Sequence, residues 1–360
     1  MKLKHSTFAA MSLAFLLGQI QPASAQPRNA GAAASAIAFG TADFGLGTKP
    51  ALASALSQAR NTLKPRSSTL RPAPRPARVT AVRSVALTSA TGSAWMHSDV
   101  PAAWAKGYRG RGTNITLVDS FGTSYRLRGT MSGRSETLAH GGWTRKQASM
   151  VALDARTFAH DFSRSSTPVK LQSGFNVMNL SYGIFYRAST GDVNWNQQES
   201  SLIKYAKTGA AVVVKAAGND GVALAAANDA GRIDLLSRDL IGAQSVIFVG
   251  ALSSNGTTSQ GASLASYSNF AGANITVQNQ FLVVGVNSRA TGLMGTSFAA
   301  PIVSGYAAIS KSKFTGASHT QIANQLLDTA RRDTIAGYSP AVHGQGEASL
   351  SRALAPASLR

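Results

Sequence analysis

The stretch that decides the fold is residues 295–305, which read Gly-Thr-Ser-Phe-Ala-Ala-Pro-Ile-Val-Ser-Gly. A Thr-Ser pair followed by apolar residues predicts a helix that begins at Thr296. Proline at position 301 fits only an early turn of that helix, and Gly295 allows a close backbone approach. Ser297 therefore lies where helix N–H groups stabilise negative charge, as a nucleophile requires. The same stretch also fits a Thr/Ser-capped core helix with small residues for tight packing.

Three polar residues that precede this serine stand at a strand end or a helix start. Asp119 ends an apolar strand, His140 opens a helical segment, and Asn219 follows a valine-rich strand. A serine hydroxyl needs an imidazole to take its proton, and that imidazole needs a carboxylate on its other nitrogen. The oxyanion formed by attack needs preorganised donors, which the Ser297 backbone N–H and the Asn219 amide can supply. The order Asp, His, Asn, Ser predicts this constellation.

Residues 295–305 resemble the nucleophile motif of the subtilases, the subtilisin-like serine proteases of peptidase family S8. Residues 217–219 are similar to the family's oxyanion-hole segment, and residues 179–183 to the strand end that pairs with an extended substrate. Weaker similarities at residues 264–269 and 344–346 extend the resemblance over most of residues 95–354. The resemblance implies a catalytic triad formed by Asp119, His140 and Ser297, with Asn219 as the oxyanion donor. It also implies that the substrate is bound by Ser181, Gly183, Ala217 and Gly218.

Strands and helices alternate after Trp95, which predicts one α/β domain over residues 95–357. Several strands are continuous apolar runs, as in parallel sheets that are buried on both faces. The resemblance implies a three-layer fold with a mainly parallel central sheet flanked by helices. The predicted strands are residues 114–118, 175–180, 210–214 and 245–249, and the predicted helices are residues 99–105 with an Asp99 cap, a segment after His140, residues 196–207, a segment from Thr296, and residues 320–331.

The surroundings of Asp119 and His140 depart from the subtilase pattern. Phe121 stands where the family has glycine, and residues 142–146, Gly-Trp-Thr-Arg-Lys, replace a small, buried sequence. Two positive charges on such a helix require that it be rotated or locally exposed. His160 is the rival base, but its segment resembles the strand that follows the family's histidine helix, which favours His140.

Three functions stay open at this point. The first is a serine endopeptidase that works through an acyl-enzyme intermediate. The second is a catalytically impaired pseudoenzyme that binds anionic surfaces. The third is an acid-active serine peptidase in which carboxylates replace the histidine and the oxyanion asparagine. His140 and Asn219 both count against the third.

The N-terminus has the features of an export signal. Two lysines, a short apolar run and the sequence Ala-Ser-Ala before residue 26 predict a signal peptide over residues 1–25, cleaved after Ala25. We therefore expect a secreted or periplasmic bacterial protein. Residues 26–94 are rich in Ala, Pro and Arg and are interpreted as a basic linker, with a degenerate pro-segment or an electrostatic tether as alternatives.

Composition limits the partners and cofactors. The chain carries 35 Lys and Arg against 15 Asp and Glu, a net charge of +20, and no cysteine. The charge indicates association with an anionic envelope or polyanions, without specific nucleic-acid binding, beside protein or peptide substrates. We expect a monomer without a cofactor. Many subtilases bind calcium, and a structural calcium stays open. Asp229, Asp234 and Asp239 either face a substrate pocket or, as we favour, pair with Arg232 and Arg238.

Overall fold

The computed structural model describes residues 92–359 and the backbone of one short strand before them. The predicted signal peptide and nearly all of residues 26–94 lie outside the described residues. The strands are β1 Ile37–Ala38, β2 Thr113–Asp119, β3 Arg126–Gly129, β4 Glu136–Ala139, β5 Arg156–Asp161, β6 Phe175–Leu180, β7 Gly183–Arg187, β8 Val212–Ala216, β9 Arg232–Asp234, β10 Val246–Leu252 and β11 Phe281–Gly285. The α-helices are α1 Asp99–Ala105, α2 His140–Val151, α3 Gln197–Thr208, α4 Leu235–Leu240, α5 Ile275–Asn279, α6 Ser288–Thr291, α7 Ala300–Lys313, α8 His319–Asp328, α9 Pro340–His343 and α10 Leu350–Ala353.

A six-stranded sheet in the order β11-β10-β8-β6-β2-β5 forms the centre of the domain. Every neighbouring pair in it is parallel. Strands β2, β6, β8, β10 and β11 are buried at every residue, because helices cover both faces. The predicted α/β architecture with a parallel central sheet is therefore confirmed. The carboxyl ends of the strands meet at one edge, where ligands bind in open sheets of this kind.

The helices form two outer layers. One face of the sheet packs against α2, α7 and α8, and the other face packs against α3 and α4. Helices α2 and α7 approach closely because Gly305 lies against Val151, where a Cβ atom would come within 2.5 Å of the valine side chain. His140 begins α2 and Ser297 lies just before α7, so the two predicted site residues stand on neighbouring elements.

Two predicted helix starts differ from the structure. Asp99 does not cap α1, because Ser98 is the N-cap residue. The Asp99 carboxylate instead pairs with Arg331 and accepts a hydrogen bond from the Ser351 backbone, which ties α1 to the C-terminal segment. The helix predicted from Thr296 begins as a 3₁₀ turn over Thr296–Phe298, and the α-helix follows from Ala300.

A membrane span is not found among the described residues: no helix there has both the length and the apolar character to cross a bilayer.

Candidate active site

Asp119 and His140 form a buried pair at the carboxyl edge of the sheet. The His140 Nδ1 atom lies 2.7 Å from Asp119 Oδ1, and the two residues are 4% and 0% exposed. Asp119 Oδ1 also accepts the Ser120 backbone N–H at 2.7 Å, and Oδ2 accepts the Thr144 hydroxyl at 3.0 Å. With its proton on Nδ1, the imidazole donates to the carboxylate and presents Nε2 as the basic nitrogen.

Gly141 allows His140 to reach the aspartate. Its backbone N–H donates to the Ser120 carbonyl at 2.8 Å, which fixes the first turn of α2 against the end of β2. A Cβ atom on residue 141 would lie 2.8 Å from both that carbonyl and the Phe121 ring, so only glycine fits there. Phe121, the departure from the family pattern, therefore packs directly against the start of the histidine helix.

Ser297 lies in the 3₁₀ turn before α7 and is 6% exposed. Gly295 precedes it with φ 122°, a backbone conformation that favours glycine. The His140 ring lies 5.7 Å, between ring centroids, from the ring of Phe298, the residue that follows the serine. The Ser297 hydroxyl donates to the Ser181 carbonyl at 3.1 Å. The structure thus brings serine, histidine and aspartate to one place, with the hydroxyl turned toward Ser181.

Asn219 is held against the serine turn by its carbonyl oxygen. Oδ1 accepts both the Thr296 backbone N–H at 2.8 Å and the Thr296 hydroxyl at 3.0 Å. This assigns the amide orientation, because Oδ1 is used by two donors and Nδ2 remains a donor. Thr296 Oγ1 also accepts the Gly218 N–H at 3.1 Å, which joins the segment after β8 to the serine turn.

The predicted substrate-binding residues lie on two neighbouring segments. Ser181 and Gly183 follow β6, Ala217 and Gly218 follow β8, and the two strands are adjacent and parallel. A Cβ atom on Gly183 would lie 2.6 Å from the Phe185 ring, so a larger residue here would displace that ring. The backbone of Gly183 pairs antiparallel with Ala38 of β1. This edge of β7 therefore accepts an extended strand.

Comparisons with known proteins identify the family of the chain. The family model described as "Subtilase family" matches residues 134–350. The chain belongs to the subtilase family. It is accordingly a serine-type endopeptidase, which acts on protein or peptide substrates.

Solved structures are also similar to this subtilase, whereas no curated protein sequence matches it. MycP1 from the ESX-1 type VII secretion system is 18% identical with a TM-score of 0.46, over 74% of this chain and 87% of that one. A lanthipeptide protease is 19% identical with a TM-score of 0.43, over 69% and 89%. A protease from Pseudoalteromonas arctica is 18% identical with a TM-score of 0.46, over 74% and 95%.

His160 lies away from the carboxylate of this subtilase site. In the sheet it is the neighbour of Val118, one residue before Asp119. Side chains alternate between the two faces of a strand, so His160 and Asp119 point to opposite faces. Burial is the main cause that lowers the pKa of His160 below its ordinary value of 6.5, followed by the nearby charge of Arg164.

The two basic residues of α2 lie on its outer side. Arg145 is exposed and donates to Thr157 of β5 at 3.1 Å, while Lys146 is half-buried and pairs with Glu136 of β4. The inner side of the helix carries His140 and Thr144. The expected local exposure of this helix is therefore observed, and the charges do not disturb the Asp119–His140 pair.

Two residues that support the site were not predicted from the sequence. Thr144 stands four residues after His140, a spacing that places both on one helix face. The sequence alone therefore contains a signal that could have pointed to Thr144. Asn269 braces the segment after β8, with its Nδ2 donating to the Ala217 carbonyl at 3.0 Å and its Oδ1 accepting the Asp220 N–H at 2.9 Å. Only the resemblance at residues 264–269 pointed to the region of Asn269.

Of the aspartates Asp229, Asp234 and Asp239, the last two form ion pairs, whereas Asp229 forms none with a described residue. Asp239 pairs with Arg238 at 2.8 Å, as we favoured, but Asp234 pairs with the buried Lys215 at 2.8 Å rather than with an arginine. Lys215 was not predicted to take part. Within the part of the chain that the structure describes, no group of three or more His, Asp or Glu side chains is placed to hold a metal ion.

Proposed function

We propose that this subtilase cleaves peptide bonds with Ser297 as nucleophile, His140 as general base, Asp119 as the carboxylate that orients the imidazole, and Asn219 as an oxyanion donor. The observation that carries the proposal is the buried 2.7 Å contact between His140 Nδ1 and Asp119 Oδ1 beside the serine turn. Such a contact fixes the tautomer that a serine nucleophile needs and stabilises the imidazolium that forms.

Catalysis begins when the Ser297 hydroxyl turns from the Ser181 carbonyl toward His140, a side-chain rotation that is fast compared with turnover. The hydroxyl oxygen attacks the substrate carbonyl while its proton passes to Nε2 of His140. The resulting oxyanion accepts hydrogen bonds from the Ser297 backbone N–H and from Asn219 Nδ2. His140 then protonates the leaving amine, and water repeats the sequence on the acyl-enzyme to release the acid and restore the serine.

The substrate is proposed to bind as an extended strand along residues 181–183. The side chain next to the cleaved bond then lies between this segment and Ala217-Gly218. The antiparallel pairing of Ala38 with Gly183 supports this mode, because it uses the same backbone edge. A substrate that reaches Gly183 competes with β1 for that backbone.

Labelling with a fluorophosphonate probe tests the triad. We expect covalent labelling of the wild-type chain at Ser297 and a loss of about 10⁴-fold or more in labelling rate and kcat in His140→Ala, because the serine loses its base. His160→Ala is the matched control, since it also removes a buried histidine from the same half of the sheet, and it is expected to label normally.

Two results would redirect the assignment. Labelling that survives His140→Ala but disappears in His160→Ala would make His160 the base. A folded wild-type chain that does not label at all would favour the catalytically impaired binding module.

Export of the enzyme is part of the proposal and rests on the order of features in residues 1–25. N-terminal sequencing of the exported chain checks it: a first residue within residues 1–25 contradicts cleavage after Ala25, whereas a first residue beyond Gln26 is the result expected of a removed pro-segment.

A further inference from the structure

A chain of buried hydrogen bonds leads from the middle of α7 to the residue that carries the nucleophile. The Ser304 hydroxyl donates to Asn179 Oδ1 at 3.1 Å, and Asn179 Nδ2 donates to Ser181 Oγ at 2.9 Å. The Ser181 hydroxyl then donates to the Ser297 carbonyl at 2.9 Å. We call these four residues the serine relay. It joins α7, β6 and the turn after β6 to the 3₁₀ turn that precedes α7.

The place of Asn179 in the core calls for an explanation beyond packing. Its neighbours in the sheet are Leu117 and Val214, both apolar and both fully buried. An amide at such a position costs free energy unless its donors and acceptor are used, whereas an apolar side chain would simply extend the core. Asn179 is fully buried, and its amide bonds to the hydroxyls on either side of it in the relay.

The Ser297 carbonyl sets the direction of the relay. A carbonyl can only accept, so the Ser181 hydroxyl directs its single proton to it and accepts a hydrogen bond from Asn179 Nδ2. Asn179 Oδ1 then faces Ser304, whose hydroxyl supplies the donor that this buried oxygen needs. Removal of the Ser304 hydroxyl takes this donor away and loosens the orientation of the amide.

Ser181 contacts the nucleophile residue twice. Its hydroxyl donates to the Ser297 carbonyl, and its own carbonyl accepts the Ser297 hydroxyl at 3.1 Å. The position of Ser181 therefore governs both the backbone of the serine turn and the resting place of the reactive hydroxyl. Reaction rates are sensitive to such placement, since a misplacement of about 1 Å can cost about 100-fold.

We infer that Ser304 and Asn179 are positioning residues, which hold Ser181 and through it the Ser297 turn in the geometry needed for attack. This inference rests on the proposed role of Ser297. Neither residue is proposed to touch the substrate.

Helix α7 offers a matched control within itself. Ser310 lies in the same helix and is 0% exposed, as Ser304 is, but the Ser310 hydroxyl has no hydrogen-bond partner among the described residues. Ser304→Ala and Ser310→Ala therefore remove the same atom from equally buried places on one helix. Only the first removes a bond to Asn179.

The test compares steady-state kinetics and the rate of fluorophosphonate labelling in these variants, with melting temperatures to confirm folding. We expect Ser304→Ala to lower kcat and the labelling rate by about 10-fold, with KM within about twofold, because placement and not substrate binding is disturbed. Ser310→Ala is expected to keep both rates. Ser304→Thr, which retains a hydroxyl, is expected to keep most of the wild-type kcat and labelling rate. Ser304→Val, which has the shape of threonine without the hydroxyl, is not.

Unchanged rates in Ser304→Ala, or an equal loss in Ser310→Ala, would overturn the inference. If Ser304→Ala does not fold, the Thr and Val pair decides: equal rates in both contradict a role for the hydroxyl. Absence of labelling in the wild-type chain is a different result, because it refutes the proposed function itself.

Discussion

Asn219 is the residue where an electrostatic and a structural role can be separated. Its Nδ2 is the proposed oxyanion donor, while its Oδ1 holds the Thr296 N–H and hydroxyl. We expect Asn219→Ala to lower kcat by about 100- to 1000-fold with little change in KM, a magnitude known from an enzyme of this same family. Steady-state kinetics on a peptide substrate measures both constants.

The variant Asn219→Asp serves as the control. Aspartate keeps an oxygen for Thr296 but has no N–H to donate, so the oxyanion role predicts that kcat falls in this variant too. If Asn219→Asp retains wild-type kcat while Asn219→Ala loses it, the residue acts by supporting the turn and not by donating to the oxyanion.

Single residues were predictable from the sequence where the chemistry demands a residue type in a fixed order. Asp119, His140, Ser297 and Asn219 were named in this way, and the structure brings all four together. Thr144, Asn269 and the serine relay were not named, because a buried hydroxyl or amide shows its partner only after distant segments have folded together. The role of Lys215 was not predicted for the same reason.

At the scale of elements, a buried ion pair joins β8 to the last residue of β9. Lys215 is 1% exposed, and its Nζ lies 2.8 Å from Asp234 Oδ2. Asp234 also accepts the Ile184 N–H of β7 at 2.9 Å and caps α4 through Leu236. The pair therefore links β8, β7 and α4.

Removal of one partner from this pair is expected to destabilise the fold strongly. Lys215→Met leaves the Asp234 carboxylate buried without its cation, which typically costs about 3–5 kcal/mol of unfolding free energy. The exposed Lys204→Met on α3 is the control, with an expected change within about 0.5 kcal/mol. Denaturant titration followed by circular dichroism measures both, and equal stabilities would refute a structural role for the pair.

Elements were predicted best where their pattern is continuous. The four predicted strands all occur within a few residues of their expected bounds, because continuous apolar runs identify buried parallel strands. The β3–β4 hairpin that leads into His140 was not predicted. Its residues 126–139 are mostly polar and partly exposed, so they show no alternation of apolar and polar residues that would predict strands. The hairpin is held by distant contacts, such as the hydrogen bond from the Thr130 N–H to the Thr291 carbonyl at 2.7 Å.

For the whole molecule, three histidines away from the active site link stability to pH. Burial is the main cause that lowers the pKa of His160, His319 and His343 below the ordinary value of 6.5. The unfolded chain, with ordinary pKa values, therefore takes up protons first as the pH falls. The stabilising effect of keeping these rings neutral is complete above about pH 7.5 and is lost as the pH falls through 6.5 toward the lowered values.

We therefore expect the unfolding free energy to decrease steadily between about pH 7.5 and pH 6, a window chosen because carboxyl groups at their ordinary pKa values do not titrate in it. The raised pKa of Glu347, caused chiefly by burial, acts in the opposite direction. Denaturant titrations across this window, repeated on His319→Gln, check the prediction. In the wild type, His319 stacks on Phe175 at 4.2 Å between ring centroids. Glutamine at this position does not titrate, so the unfolding free energy of the variant must depend less steeply on pH than that of the wild type. A slope that is unchanged by this substitution would mean that the pH dependence does not arise from His319.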